Sequence, residues 1–259
     1  MRNLKELDIR EKKYIIFDMD GTLIDSIGVW NRADQKLIEE YSGIKVDLDT
    51  VQIDRDSFLH NNQGSDIYLA YCGHLIEKYN FNLNDANELL KRRWDISGEI
   101  LENEMDFKPN VVKLILKLKE LGFVLILATM TTQVQLDIYS KKNIKMVEQM
   151  NIAEVFDLIT RKEDVVNKKP NPEIYNKIMQ FYNAQPNECL IFEDSYTGVL
   201  AGKQAEVEVV NVYDKYADLD RDRINALTDY SINDYEEFVS YIDFLYSGKS
   251  LKRNINSNE

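Results

Sequence analysis

One stretch constrains this chain more than any other: Tyr14-Ile15-Ile16-Phe17-Asp18-Met19-Asp20-Gly21-Thr22-Leu23-Ile24-Asp25. Its short apolar run, Tyr14 to Phe17, reads as a strand fully buried in a parallel sheet. The run stops at two carboxylates, Asp18 and Asp20, and a glycine follows at once. On extended backbone, residues i and i+2 point to the same side. Ligands of open α/β sheets gather outside the carboxyl ends of the strands, which is where this pair falls. Two like charges so close are unfavourable when buried unless a cation or a proton intervenes. Taken alone, the same residues also suit a solvated turn, with Asp and Gly as turn formers.

The rest of the chain places that stretch in a fold. Trp30, Ala33, Leu37 and Tyr41 recur at helical spacing, and Gly43 is a C-terminal stop. Further apolar stripes follow through Phe58, Ile67, Leu69, Leu75 and Ile76, then Leu89, Leu90, Trp94 and Ile100. No strand pattern interrupts them, so 26–106 reads as an all-helical insertion after the first strand. Pro109 opens an amphipathic helix with Val111, Ile115, Leu118 and Leu121 on one face, ended by Gly122. Strands are then expected over 123–128, 156–160, 189–192 and 207–212, with an edge strand at 230–232. Helices are expected over 134–150 (weakly patterned in its middle), from Asn171-Pro172 onward, over 197–204, and over 235–246 as a closing element. Strands alternating with helices predict an α/β fold with a doubly wound parallel sheet. The domain expectation is a core of 1–25 and 107–246, a helical cap of 26–106, and a polar, disordered tail over 247–259.

Charge and composition narrow the function. A net charge of −13 argues against binding a nucleic-acid backbone, which needs a basic surface. It does not exclude small anionic substrates, which respond to local charge. No apolar run approaches the roughly 18 residues of a membrane span. The N-terminus lacks the apolar core of a signal peptide. A soluble, cytoplasmic protein is expected, with a monomer as the default. The two cysteines, Cys72 and Cys189, show no metal-ligand spacing and read as buried reduced thiols. Two histidines, His60 and His74, leave little material for a zinc site or a histidine triad.

Parallel strands put their carboxyl ends on one edge, so Asp18, Asp20, Thr129, Lys169, Glu193 and Asp194 can converge on one pocket. Four carboxylates and one lysine carry −4 + 1 = −3. A divalent cation brings this to −1, and protonating one carboxylate reaches zero. Without the cation, a phosphate dianion would be repelled. An all-oxygen ligand set favours Mg²⁺ over a soft metal.

Asp18-Met19-Asp20-Gly21-Thr22-Leu23, Thr129, Lys169-Pro170 and Glu193-Asp194-Ser195 resemble, in order and spacing, the four signature motifs of the haloacid dehalogenase superfamily. The resemblance covers about Tyr14 to Val212. The helical insertion and the string Glu193-Asp194-Ser195-Tyr196-Thr197-Gly198-Val199 resemble the subgroup of β-phosphoglucomutase and phosphoglycolate phosphatase. The dehalogenases themselves lack the second aspartate of the first motif, which is Asp20 here.

The resemblance implies an Mg²⁺-dependent phosphatase acting on a small phosphorylated metabolite. Asp18 would attack phosphorus and form an aspartyl-phosphate, while Asp20 would protonate the leaving alcohol and then deprotonate water. Mg²⁺ would be held by the Asp18 carboxylate, the Asp20 carbonyl and Asp194, with Glu193 direct or through water. Thr129 would hydrogen-bond the phosphoryl group, and Lys169 would balance charge on the nucleophile. The alternatives are a sugar phosphomutase and a catalytically silent phosphate-binding protein. β-Phosphoglucomutase has a hinge histidine where this chain has Trp30, which weighs against a mutase, and no catalytic residue is lost, which weighs against silence.

Two further departures concern the backbone. Glu206 stands where the family often has a glycine, so that turn is expected to be built differently, and Lys168 replaces the glycine before the motif lysine. Substrate selection is expected in the cap, with Arg55, Asn61, Asn62, Gln63 and Arg92-Arg93-Trp94 as candidates and Asp25 to Ile27 and Asp106 to Pro109 as hinges.

Overall fold

The computed structural model describes residues 2–62 and 66–247. Gln63 and all but the first residue of the polar tail expected over 247–259 lie outside them. The chain divides into two compact units, one of residues 1–25 with 105–259 and one of residues 26–104.

The first unit is built on a six-stranded, all-parallel sheet in the order β3-β2-β1-β4-β5-β6. The strands are β1 (Tyr14–Phe17), β2 (Val124–Ala128), β3 (Leu158–Thr160), β4 (Cys189–Glu193), β5 (Glu208–Val212) and β6 (Tyr230–Ile232). β1 is central, with Tyr14 in register with both Val124 and Cys189 and Phe17 with both Leu127 and Phe192. The chain order reverses across β1, so a crevice opens at its carboxyl end. All four β1 residues are buried, as a sheet covered on both faces requires. Tyr14 and Ile16 share one core with Ile126, Ile174, Ile178, Ile191 and Val199. Phe17 stacks on Phe192 at 4.7 Å, and Phe192 meets Phe238 edge-on at 4.8 Å.

Helices of this unit include α5 (Val111–Glu120), α6 (Gln133–Asp137), α7 (Ile144–Gln149), α8 (Ile152–Val155), α9 (Glu173–Tyr182), α10 (Tyr196–Gln204), α11 (Arg221–Leu227) and α12 (Tyr235–Tyr246). The single helix expected over 134–150 is interrupted. Ile138–Lys142 form a π-helical turn, and Asn143, at ψ 88, leaves helical geometry and caps α7 through Met146 N. A side chain that competes with backbone for N–H groups favours a cap over a helix interior. Pro109 lies outside α5, which starts after Asn110 in a left-handed conformation. Glu206 corrects the expected rebuilding of its turn. It takes φ 60 itself, and Glu206 N–H to Lys203 O with Val207 N–H to Gly202 O (both 3.1 Å) close the motif a glycine would make.

The second unit holds four helices among the described residues: α1 (Val29–Ser42), α2 (Leu48–Asn61), α3 (Ile67–Lys78) and α4 (Ala86–Asn103). Gly43, at φ 72, ends α1. Arg93 and Asp34, both almost fully buried, form a two-pronged ion pair at 2.5 and 3.0 Å that ties α4 to α1. Met105 and Asp106 belong instead to the first unit, where Asn143 Nδ2 donates to Met105 O at 3.0 Å and Lys145 pairs with Asp106 at 2.7 Å. Cys72 and Cys189 are free thiols, each buried in its own unit.

Candidate active site

The loop after β1 is wound tightly. Asp18 N–H still bonds Phe192 O at 3.0 Å, which continues the ladder with β4. Leu23 and Ile24 N–H then both turn back to Met19 O, and Gly21 N–H bonds Ile24 O at 2.8 Å. Gly21 adopts φ +84, and a Cβ there would sit 2.3 Å from Asp194 Oδ2. The glycine therefore serves both backbone and site: only hydrogen permits the close approach of the Asp194 carboxylate. Thr22 Oγ1 donates to the other oxygen of that carboxylate at 2.7 Å.

Lys169 is the centre of charge. Its ammonium donates to Asp18 Oδ1 at 2.6 Å, Glu193 Oε1 at 2.6 Å and Ala128 O at 3.0 Å. Lys168 is exposed, so Lys169 is the lysine of the site. The peptide joining Lys169 to Pro170 is cis.

Glu193 is more fully engaged than sequence implies. Oε1 accepts from Lys169 and from the Tyr175 hydroxyl at 3.3 Å. Oε2 accepts from Asp194 N–H, Ser195 N–H and the Ser195 hydroxyl at 3.1, 3.2 and 3.1 Å. Five donors saturate this carboxylate, and it sets the β4 turn and Lys169 together. Asn211, fully buried on β5, fixes the same turn by donating to Glu193 O at 3.0 Å.

Asp20 is held by donors from a different part of the chain. Its carboxylate accepts from the Thr131 hydroxyl at Oδ2 and from the Tyr139 hydroxyl at Oδ1, the latter at 3.2 Å. Thr129 is buried at the end of β2, and its hydroxyl accepts from Thr131 N–H at 3.0 Å. That bond leaves the Thr129 O–H proton for a ligand. The helix expected from 134 begins at Gln133, with Thr132 as its N-cap.

Burial governs the electrostatics. Desolvation pushes the Asp18 carboxyl up to about 7, against the pull of the Lys169 ammonium. Desolvation, reinforced by Glu193 and Asp18, raises Asp194 well above the carboxylate range. Burial opposes the charge on Lys169, yet Asp18 and Glu193 overcome it and hold the ammonium well above its ordinary value. Carboxylates that are this reluctant to ionise together want a further positive charge. Asp18, Glu193 and Asp194 offer one oxygen each within 4.8 Å of one another. Their −3, less the charge on Lys169, leaves −2, and hard oxygen donors with that balance fit a hard divalent cation.

All six site residues foreseen from sequence lie in this unit. Asp18, Lys169, Glu193 and Asp194 form one connected cluster. The sequence reading missed Tyr139, Thr131, Tyr175 and Asn211. Only Asn211 had a signal, as a lone amide within an apolar strand. Four of the cap candidates have partners within their own unit. Arg92 pairs with Glu40 and Glu99 on the surface, Arg93 with buried Asp34, and Asn61 and Asn62 bond backbone carbonyls of their own helix. Arg55, mostly buried, meets Asp56 at 3.4 Å.

Known proteins are similar to this chain in sequence or in fold. The phosphorylated carbohydrates phosphatase of Thermotoga maritima is 27% identical over 195 residues, 75% of this chain and 82% of that protein. The glyceraldehyde 3-phosphate phosphatase of Pyrococcus furiosus is 23% identical over 244 residues, 91% and 95% of the two chains. The crystal structure of CbbY from Rhodobacter sphaeroides in complex with phosphate superimposes with a TM-score of 0.61 at 21% identity, covering 88% of this chain and 96% of that one. The family model for haloacid dehalogenase-like hydrolases matches residues 15–212, which span every site residue above, and the chain belongs to that family.

Proposed function

We propose that this protein is a phosphoric monoester hydrolase, an Mg²⁺-dependent phosphatase that acts on a small phosphorylated metabolite through an aspartyl-phosphate at Asp18. The observation that carries the reading is the Lys169 ammonium, 2.6 Å from both Asp18 and Glu193 at the carboxyl ends of β1 and β4. Such an ammonium offsets charge on a nucleophile and on a phosphoryl group arriving beside it. The two relatives named as phosphatases support the same class.

In this reading the Asp18 carboxylate attacks phosphorus while the bond to the leaving oxygen breaks. Asp20 gives its proton to that oxygen, then takes one from the water that attacks the aspartyl-phosphate. Inorganic phosphate leaves and Asp18 is restored. Thr129 donates its O–H to a phosphoryl oxygen. Asp18, the Asp20 carbonyl and Asp194 would hold Mg²⁺, with Glu193 reaching it only through water because its own oxygens are engaged. The ion would neutralise charge on the phosphoryl oxygens. Residues 26–104 serve as the cap in this scheme.

A mutase is not favoured. Trp30 holds the position of the mutase histidine, and its ring packs edge-on against Trp94 at 4.8 Å and under the Arg93 guanidinium at 4.6 Å. His74 is on α3, bonded to Asp54 at 3.0 Å.

The test is release of inorganic phosphate from p-nitrophenyl phosphate with and without Mg²⁺, for the parent and Asp18→Asn. Turnover that needs Mg²⁺ and vanishes in the variant is expected. Turnover indifferent to both would sink the proposal.

A further inference from the structure

Tyr139 has no role in the scheme above, yet it reaches the acid–base residue from an irregular piece of backbone. Its side chain is 2% exposed, and its hydroxyl donates to Asp20 Oδ1 at 3.2 Å. It lies in the π-helical turn Ile138–Lys142, where Asn143 N–H reaches back five residues to Ile138 O at 2.8 Å. Single π turns inside helices are uncommon and concentrate at functional sites, because the extra residue re-aims the side chains of that turn. Asn143 pins the end of the turn by donating to Met105 O and accepting from Met146 N–H. On the opposite oxygen of Asp20, the Thr131 hydroxyl donates. The carboxyl group is therefore gripped at both oxygens by hydroxyls from two different segments.

We infer that Tyr139 is a positioning residue for Asp20, holding its carboxyl plane so that the proton in the first half-reaction is delivered to a lone pair of the leaving oxygen as its bond to phosphorus breaks. The inference rests on the hydrolase reading of Asp20. The hydroxyl itself neither gains nor loses a proton. Asp20 loses one to the leaving alcohol as the phosphorus–oxygen bond breaks, and Tyr139 O–H continues to donate to the carboxylate that results. Orientation of this kind matters because proton transfer falls off steeply once donor and acceptor are misaligned.

The experiment separates proton delivery from general packing by changing the leaving group. An alkyl phosphate, such as glycerol 1-phosphate, leaves as a basic alkoxide and needs the proton, while p-nitrophenolate leaves without it. Both kcat/KM values, which report the step up to aspartyl-phosphate formation, are measured for the parent, Tyr139→Phe and Asp20→Asn in Mg²⁺. Thermal melting confirms that each variant is folded.

Tyr139→Phe is expected to lose about tenfold on the alkyl ester and less than about twofold on the aryl ester, a part of the roughly 10²–10⁴ that general acid catalysis supplies. Asp20→Asn is expected to show the same selectivity with a larger loss. Equal losses on both esters by Tyr139→Phe, or no loss on either, would overturn the assignment. If Asp20→Asn shows no selectivity, or the parent hydrolyses neither ester, the acid–base reading itself fails and takes the assignment with it.

Discussion

Lys169 donates to Asp18 at 2.6 Å, and the same ammonium stands 2.6 Å from Glu193. All three side chains are almost fully buried, so the lysine is the fixed counter-charge of the cluster. Removing one partner of a buried ion pair strands the other charge, at a cost of about 3–5 kcal/mol. Lys169→Met is expected to lose about that much stability and at least about 10²-fold in phosphate release. It should also bind a divalent cation more tightly, because the repulsion that Lys169 exerts on the cation is gone. Melting temperatures with and without Mg²⁺ check this: the rise on adding Mg²⁺ should be larger for the variant than for the parent. An equal or smaller rise would show that Lys169 is not the competing charge.

Gly198 lies in the first turn of α10, and a Cβ there would lie 1.8 Å from Glu193 Oε1. Glu193 cannot swing aside cheaply, since five donors hold it. Alanine in a helix normally gains up to about 1 kcal/mol over glycine. Overpacking costs about 1–3 kcal/mol, and here it also dislodges Lys169. Gly198→Ala should therefore be destabilised and lose most activity. Gly98→Ala in α4, where a Cβ meets nothing within 4 Å, is the control and should gain stability. Urea denaturation of the pair measures both signs, and a stable, active Gly198→Ala would contradict the packing account.

Much of this arrangement was legible in the sequence because it is local. β1, β6 and α12 fall on the residues expected, since apolar runs bounded by polar residues mark buried elements wherever they occur. Asp18, Lys169, Glu193 and Asp194 are strand-end or pre-proline residues, and a parallel sheet gathers such ends without further information. What escaped was set by distant contacts. Tyr139 reaches Asp20 only because the chain leaves α-helical geometry at 138–142, and no propensity encodes that. Glu206 was read as an obstacle to a left-handed turn, yet the two hydrogen bonds of the motif hold it there against its own preference. Arg93 was read as a candidate for the substrate, but Asp34, 59 positions away, claims it.

Glu173, at the start of α9, fixes the loop that leads to Lys169. Its carboxylate accepts from Val166 N–H at 2.9 Å and Asn167 N–H at 2.8 Å, and pairs with Lys177 at 2.9 Å. The Val166 N–H first, then Lys177 and Asn167, pull its pKa from the ordinary 4.5 to about 2. The folded state thus binds this proton less tightly than the unfolded chain does. The stabilisation is complete above pH 4.5 and is lost as pH falls toward about 2. Melting of Glu173→Gln against the parent should show a constant gap near pH 7 that shrinks in acid. A gap that widens on acidification would reverse the assignment.

Glu206 gives the most direct test of backbone strain. At φ 60 its Cβ crowds the carbonyl, and an L-residue pays about 1–2 kcal/mol for that conformation. The side chain is exposed. Glycine relieves the crowding but brings a more flexible unfolded chain, which takes back roughly 0.5–1 kcal/mol. Glu206→Gly should accordingly stabilise the protein by about 0.5–1 kcal/mol, and Glu206→Ala should change little, because alanine keeps the Cβ. The turn lies between α10 and β5, away from the hydroxyls on Asp20, so phosphate release should stay as in the parent. Urea midpoints for the three proteins decide the matter: if glycine and alanine behave alike, the left-handed conformation carries no cost, and the two hydrogen bonds that close the turn are all that shape it.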